Sequence, residues 1–232
     1  MTDSTPETEL LVATGDDVIE YLDSQCTQDL SHLELGERTQ TLVLSPAGDV
    51  VTIAVIRRDG DQRVSLEVPT GTGTATVARL ERFAIRADVA FEGPMPLDDR
   101  EEAAYPDELA RIKAGVPGAE ELAKTLVPHA LSEELRERCV SFTKGCYPGQ
   151  ELVARMRSRH ATPPYVLRRC TLDGPGRPGD ALGDPGKAGS LTSVAYDEQA
   201  AAWRALCVLH RRDAEHPSVT VHASPASMAR LE

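Results

Sequence analysis

The segment KGCYPGQELVARMRSRH, residues 144–160, brings a potentially nucleophilic thiol, a lysine and several arginines close together in the sequence. It places the thiol of Cys146 two residues after Lys144 and directly before the turn Pro148-Gly149. The thiolate is the nucleophilic and metal-binding form of cysteine, and both a nearby cation and the N-terminus of a helix lower the pKa of a thiol. The segment therefore indicates a reactive cysteine, with Lys144 beside it as the activating cation.

The alternative interpretation is that Cys146 is an ordinary buried cysteine beside a glycine-rich turn. The five cysteines are odd in number and widely spaced, and no C-x-x-C pair occurs. This pattern fits reduced thiols in a cytoplasm better than a disulfide framework or a zinc site. We therefore predict a cytoplasmic protein without a metal site. The remaining cysteines have no comparable surroundings, and we assign them to packing: Cys26, Cys139, Cys170 and Cys207.

A helix is predicted to begin at Gln150. Glu151 lies at its start and Arg155, Arg157 and Arg159 lie toward its end, which is the charge order that the helix dipole favours. Glu151 and Arg155 are also spaced for an i, i+4 ion pair. Two interpretations stay open: the arginines stabilise a solvated helix end, or they form a small cationic patch that binds carboxylates or phosphates.

The composition limits the classes of function. The chain has 232 residues, of which 41% are hydrophobic and 27% charged, as in a soluble globular protein. Its net charge of −12 argues against binding a nucleic-acid backbone with the general surface, so that any anion-binding site must be local. The N-terminus MTDSTPETEL has no features of a signal peptide, and no apolar run is long enough to cross a bilayer.

The elements that must position the cysteine segment begin with an α+β pattern. TELLVA predicts a strand, and a helix follows GDD. TQTLVLS, VVTIAVIRR and RVSLEVP predict three strands joined by the turns PAGD and DGDQ. A helix over residues 73–83, with Val77, Leu80 and Phe83 on one side, and a strand over AIRADVAFE complete the pattern.

The second half changes in character. EGPMPLDDREEAAYPDE reads as a loop, and ELARIKAG and ELAKTLV predict short helices. After Pro163-Pro164, glycine-rich turns separate short apolar runs such as SLTSVAY and WRALCVLH, which predicts a small β-barrel. We therefore predict an α+β body over residues 1–164 and a C-terminal β-barrel over residues 165–232.

Several motifs, in the same order along the chain, resemble the YgfZ family of folate-binding relatives of the glycine-cleavage T-protein, an aminomethyltransferase. KGCYPGQELVAR resembles the signature of that family. GDDVIEYLDSQCTQDL resembles its N-terminal helix and the Gln-x-Thr-Asn-Asp stretch that follows, and LSPAGDV resembles its hairpin. RIKAGVP resembles its Arg-Ile-x-x-Gly-x-Pro element, and KAGSLTSVA resembles a piece of its barrel. These matches cover most of the chain.

The resemblance implies a T-protein-like fold, with an α+β body around a central folate site, and tetrahydrofolate as the cofactor. It implies a role in the assembly or repair of iron–sulfur proteins, with iron–sulfur client or assembly proteins as partners, including enzymes of tRNA modification. It implies no direct contact with nucleic acid or membrane. On the matching motifs, a thiol reachable at the edge of the central cavity is expected at Cys146, and contacts to folate are expected at Gln25, Asp29, Tyr147, Gln150, Glu151 and Arg155.

The chain departs from the family at three places. Transferases carry Gly-Gly-x-x-Asp-Asp in the hairpin, where this chain reads AGDVVT at residues 47–52 and so lacks the paired carboxylates. Lys113 stands where a related glutamate grips the pterin ring, and a lysine cannot accept the N–H donors of the pterin. The segment at about residues 92–110 is shorter than in typical members, which could open the central cavity or make the protein depend on dimerisation to close it.

Three functions are compatible with these observations. The first is a folate-binding accessory protein for iron–sulfur proteins that is not itself an enzyme. The second is a tetrahydrofolate-dependent one-carbon (aminomethyl) transferase, and the third is a degenerate scaffold that binds a protein partner without folate. The missing hairpin acid favours the first over the second.

Overall fold

The structure, a computed structural model, describes residues 8–97, 103–183, 188–222 and 227–232. The first group of elements is built on a five-stranded antiparallel sheet with the strand order β2-β3-β4-β1-β5. Its strands are β1 (Thr8–Thr14), β2 (Arg38–Leu44), β3 (Val50–Gly60), β4 (Arg63–Pro69) and β5 (Ala90–Pro96). The three predicted strands joined by tight turns are β2, β3 and β4, and this part of the prediction is confirmed.

Two helices cover one face of this sheet: α1 (Val18–Gln25) and α2 (Gly73–Glu81). Leu22 of α1 and Leu80 of α2 are fully buried in one core with Leu11, Ile56 and Leu66 of the strands. Burial of a leucine side chain of this size contributes about 1.5–3 kcal/mol. The apolar spacing of α1 and α2 therefore fixes which face of each helix meets the sheet.

The end of α2 and the strand after it differ from the sequence prediction. The helix ends at Glu81, and Phe83, which was predicted to lie on its apolar side, is 42% exposed. The strand predicted to begin at Ala84 begins at Ala90 and continues to Pro96, inside the segment predicted as a loop. As an edge strand paired with β1, β5 tolerates prolines because its outer edge needs no N–H donors.

The helices between β5 and the C-terminal barrel form a connecting region that packs against both the sheet and the barrel. It contains α3 (Glu108–Ala114), α4 (Ala119–Leu122), a 3₁₀ turn (Pro128–Ala130), α5 (Glu133–Cys139) and α6 (Gln150–Ser158). One core joins Leu44 of the sheet, Leu135 of α5 and Val153 of α6 to Leu206 beyond the connecting region. Residues 98–102, inside the segment predicted to be shortened, lie outside the described residues.

The last group forms a closed barrel with the strand order β10-β11-β6-β9-β8-β7. Its elements are β6 (Tyr165–Leu172), β7 (Ala181–Leu182), β8 (Gly189–Asp197), β9 (Ala202–His210), α7 (Arg211–Ala214), β10 (Ser218–His222) and β11 (Ser227–Leu231). The predicted α+β class with a small C-terminal barrel is confirmed. Leu167, Leu206 and Val208 of the barrel strands share the core of the connecting region, and the division at residue 164 stays a prediction.

Candidate functional site

The loop of Cys146 ends in a tight turn that begins α6. The N–H of Gln150 donates to the carbonyl oxygen of Tyr147 at 3.2 Å, and Gly149 between them has φ +85° and ψ −5°. These are the features of a type II turn, which favours proline at its second position and glycine at its third. Pro148 and Gly149 occupy those positions, so that the PG pair of the motif sets the direction in which the chain enters the helix.

Gly149 also packs backbone to backbone against the β2–β3 hairpin. A Cβ atom added at Gly149 would lie 2.8 Å from the carbonyl oxygen of Ser45 and 2.9 Å from Cα of Gly48. One added at Gly48 would lie 2.7 Å from Cδ2 of Leu152. The hairpin and the start of α6 therefore approach each other through two glycines, and two motifs that are about a hundred residues apart form one unit.

Lys144 joins a third motif to this unit. Its ammonium donates to the backbone oxygens of Asp23 and Gln28 at 2.6 and 2.7 Å, and lies 2.9 Å from Oδ1 of Asp23. The Lys144 side chain is only 2% exposed. Its charge is therefore directed to the last turn of α1 and the segment that follows it, and these bonds give Lys144 a structural role. A part for Lys144 in chemistry at the thiol stays a prediction.

All five cysteines lie within the described residues, and they divide sharply by exposure. Cys146 is exposed, whereas the other four are buried. Burial raises the pKa of Cys26 and of Cys139 to about 12, so that both remain protonated at neutral pH. The pKa of Cys207 is also raised, by a hydrogen bond with Cys170 and by burial. Cys146 is therefore the thiol that solvent and partners reach.

Gln25 is held by a residue that sequence reasoning missed. Its Oε1 accepts from Nη1 of Arg79 at 3.1 Å, and Nε of Arg79 donates to the backbone oxygen of Leu44 at 2.7 Å. Both side chains are buried. Arg79 follows Thr76 by three residues, and both lie on the buried face of α2. This helical spacing was the signal in the sequence that Arg79 would point into the core. In the structure, Gln25 supports the hairpin.

Three of the residues with predicted folate contacts, Asp29, Glu151 and Arg155, are exposed and line none of the cavities described below. Asp29 is exposed and accepts from the N–H and the hydroxyl of Ser31, and these bonds lower the pKa of Asp29. Glu151 and Arg155 are exposed on α6, and they form no ion pair with each other in the described structure.

Tyr147 and Gln150 line a common cavity of about 410 Å³, which we call the Tyr147 groove. Burial raises the pKa of Tyr147 to about 12. The groove is bounded by α6 and the segment before the Cys146 loop, and is lined by Ser141, Phe142, Tyr147, Gln150, Val153, Ala154, Arg157, Ser158 and His160. Of the six residues with predicted folate contacts, only these two share the groove.

Two further cavities lie elsewhere on the molecule. One of about 470 Å³ adjoins the Tyr147 groove across Phe142 and Arg157. Another of about 600 Å³ lies between α3, α4 and β8 and is lined partly by Arg111. The guanidinium of Arg111 bonds to Glu108 and Glu121 and to the hydroxyl of Ser193 in the barrel. Cys146 is exposed but lines none of these three cavities, and its expected place at the edge of a central cavity stays a prediction.

Lys113 occupies a position where the family resemblance would require a carboxylate, and Asp49 is the one carboxylate of the hairpin segment AGDVVT, in which Val51 and Thr52 stand at the positions of the paired acids. Nζ of Lys113 lies 2.7 Å from Oδ2 of Asp197, which joins α3 to the barrel, and this bond lowers the pKa of Asp197. Oδ2 of Asp49 accepts from the hydroxyl of Ser45 at 3.2 Å and closes the hairpin turn. Both side chains are thus engaged in contacts that stabilise the fold.

No group of three or more His, Cys, Asp or Glu side chains in the described residues is placed to hold a metal ion. None of the described helices is long and apolar enough to cross a membrane.

The comparisons with known proteins concern sequence and fold. No protein-family model matches the chain. An uncharacterized protein of Haemophilus influenzae is 25% identical over 188 residues, which cover 66% of this chain and 67% of that protein. The crystal structure of aminomethyltransferase T of the glycine cleavage system from Bartonella henselae superposes with a TM-score of 0.64 at 14% identity, over 97% of this chain and 82% of that one. This chain therefore has a glycine-cleavage T-protein-like fold.

Proposed function

We propose that this chain is a folate-binding accessory protein that supports the assembly or repair of iron–sulfur proteins, including enzymes that use such clusters to modify tRNA. The observation that carries the proposal is the exposed thiol of Cys146, held on a loop that Lys144 and Gly149 anchor. A fixed, exposed thiol can exchange with disulfides or accept sulfur without unfolding of the protein. The other four cysteines are buried and are therefore excluded from such exchange.

The T-protein-like fold and the motif resemblance support the folate part of the proposal. We place the folate contacts at Tyr147 and Gln150, because these two of the expected residues line one groove. The side-chain amide of Gln150 carries both an acceptor and two donors, which suits the mixed donors and acceptors of a pterin ring. Tyr147, which lines the groove, directly follows Cys146 in the chain.

The transferase alternative is less well supported by the contacts of the hairpin. An aminomethyl transfer needs a carboxylate free to exchange a proton with the substrate. Val51 and Thr52 stand at the positions of the paired carboxylates, and the one carboxylate of this segment, Asp49, is bonded to Ser45 within the turn. We therefore propose that the chain binds folate without transferring a one-carbon unit.

The scaffold alternative rests on Lys113. Its bond to Asp197 ties α3 to the barrel at the position where folate-binding relatives have a glutamate. If the same bond replaces pterin recognition, the chain binds only protein partners.

Anaerobic calorimetric titration with tetrahydrofolate separates these functions. We expect saturable binding by the wild-type protein, weaker binding by Q150A, and unchanged binding by K124M, since Lys124 lines the separate cavity of about 600 Å³. Incubation of the bound complex with an aminomethyl donor should yield no methylene-tetrahydrofolate. Absence of binding at high ligand concentration would favour the scaffold, and clear turnover would favour the transferase.

A further inference from the structure

The Tyr147 groove carries a local positive charge on an acidic protein. Its lining includes Arg157 and His160 but no aspartate or glutamate, whereas the whole chain has a net charge of −12. Gln150, Ser141 and Ser158 add an amide and two hydroxyls that can donate hydrogen bonds to an anion. The groove is thus chemically suited to an anionic ligand.

Arg157 is oriented for this role by an aromatic ring. Its guanidinium carbon lies 3.9 Å from the centroid of the Phe142 ring. A guanidinium stacked in this way keeps the N–H donors of its plane available for a planar, two-oxygen partner. Among the described residues, no carboxylate pairs with Arg157, whereas Arg138 of α5 pairs with Glu134 at 3.1 Å.

The cavity on the other side of the Phe142–Arg157 stack is less suited to an anion. It has a volume of about 470 Å³, and Glu133 and Glu137 line it together with Arg136. Arg136 lies 3.7 Å from Glu133, so that part of its charge is already balanced. An anion that approaches Arg157 therefore meets repulsion from this side but not from the Tyr147 groove.

We propose that the Tyr147 groove binds a small organic carboxylate, with the carboxylate on Arg157 and the apolar part of the ligand against Tyr147 and Val153. The apolar wall favours an organic anion over inorganic phosphate, which would leave this wall without a partner. The proposal goes beyond folate binding, although the glutamate tail of a bound folate is one source of such a carboxylate. It assigns the anion to Arg157 instead of Arg155: both side chains are exposed, but Arg155 lines none of the three cavities.

The test is calorimetric titration with 4-aminobenzoyl-glutamate, with 4-aminobenzamide as the neutral control. We expect the anionic probe to bind, the neutral probe to bind more weakly, and R157Q to lose about tenfold or more in affinity for the anionic probe. R63Q, the matched control at an exposed arginine of β4 that lines none of the three cavities, should bind like wild type. R157K keeps the charge but not the planar fork, and should lie between wild type and R157Q.

The remaining outcomes separate this proposal from the proposed function. Equal affinity of wild type and R157Q for the anionic probe, or displacement of the probe by millimolar inorganic phosphate, would overturn the carboxylate site. If tetrahydrofolate binds wild type and R157Q equally well, the proposal of folate binding is supported and the assignment of the folate carboxylate to Arg157 is wrong. If the probe binds through Arg157 but tetrahydrofolate does not bind at all, the carboxylate site in the groove is supported and the proposal of folate binding is wrong. Thermal unfolding of each variant verifies that it is folded.

Discussion

The ammonium nitrogen of Lys144 lies 2.9 Å from Oδ1 of Asp23, a residue 121 positions earlier in the chain. The same ammonium also donates to the backbone oxygens of Asp23 and Gln28. The loop that exposes Cys146 is therefore bonded to the last turn of α1 and to the segment after it. This bond and the close approach of Gly149 to the hairpin hold the thiol on a fixed support.

Replacement of Lys144 should destabilise the protein. K144M leaves the Asp23 carboxylate and several backbone oxygens without their cation, and the expected loss is about 3 kcal/mol in the free energy of unfolding. The Asp23 side chain is 26% exposed, which places the expectation at the lower end of the range for buried pairs. Urea unfolding measures the change, with K124M at an exposed position as the control. Equal stability of K144M and wild type would show that these bonds contribute nothing.

Gly145 and Gly149, on either side of the segment Cys146-Tyr147-Pro148, should differ in the effect that substitution by alanine has on stability. In G149A, the positive φ and the contacts at 2.8 and 2.9 Å with the hairpin force the turn to move, at a cost of at least about 1–2 kcal/mol. In G145A, the new methyl group has no atom within 4 Å, and we expect a neutral or slightly stabilising change. Similar unfolding midpoints for the two variants in urea would contradict this account of the turn.

Alkylation should distinguish Cys146 from the other thiols. We expect iodoacetamide to label Cys146 first in the folded protein, as read by mass spectrometry of the digested peptides, and C146S to lack this fast phase. Between pH 7 and pH 9, labelling should not spread to Cys26 and Cys139, because burial raises the pKa of each to about 12. Labelling of either residue as fast as Cys146 would show that the core opens readily.

His129 should make the protein less stable in mild acid. Burial, and secondarily the charge of Arg136, lower the pKa of His129 below its ordinary value of 6.5. The unfolded chain then binds the proton at higher pH than the folded protein does, so that stability is lost as the pH falls through 6.5 toward the folded pKa. Unfolding in urea between pH 8 and pH 5 should show a smaller loss for H129Q than for wild type. Parallel curves for the two proteins would rule out His129 as a cause.

The sequence allowed prediction of what depends on local patterns. Alternation and turn residues predicted β2, β3 and β4, and the PG pair before Gln150 predicted the start of α6. The contacts that depend on distant residues could not be predicted. The partner of Lys144 lies 121 residues away, and the partner of Lys113 lies in the barrel. A cation beside Cys146 in sequence was therefore expected at the thiol, whereas the fold directs it to Asp23.

For the candidate site, too, local features could be predicted from the sequence, whereas contacts between distant segments could not. The exposure of Cys146 agrees with its setting before a helix, and Tyr147 and Gln150 share a groove. Arg157, to which we assign the anion, could not be singled out from the sequence, because three arginines alternate over residues 155–159 and only the packing of Phe142 distinguishes one of them. Side-chain stacking between segments that are not adjacent on one helix has no signature in the spacing of residues.

The most direct test of the account is complementation in cells from which the gene has been deleted. The readout is the level of a tRNA modification made by an iron–sulfur enzyme. We predict that the wild-type chain restores the modification and that C146S, which should fold normally because Cys146 is exposed, does not. Full restoration by C146S would contradict the account, because it would show that the exposed thiol has no part in the function.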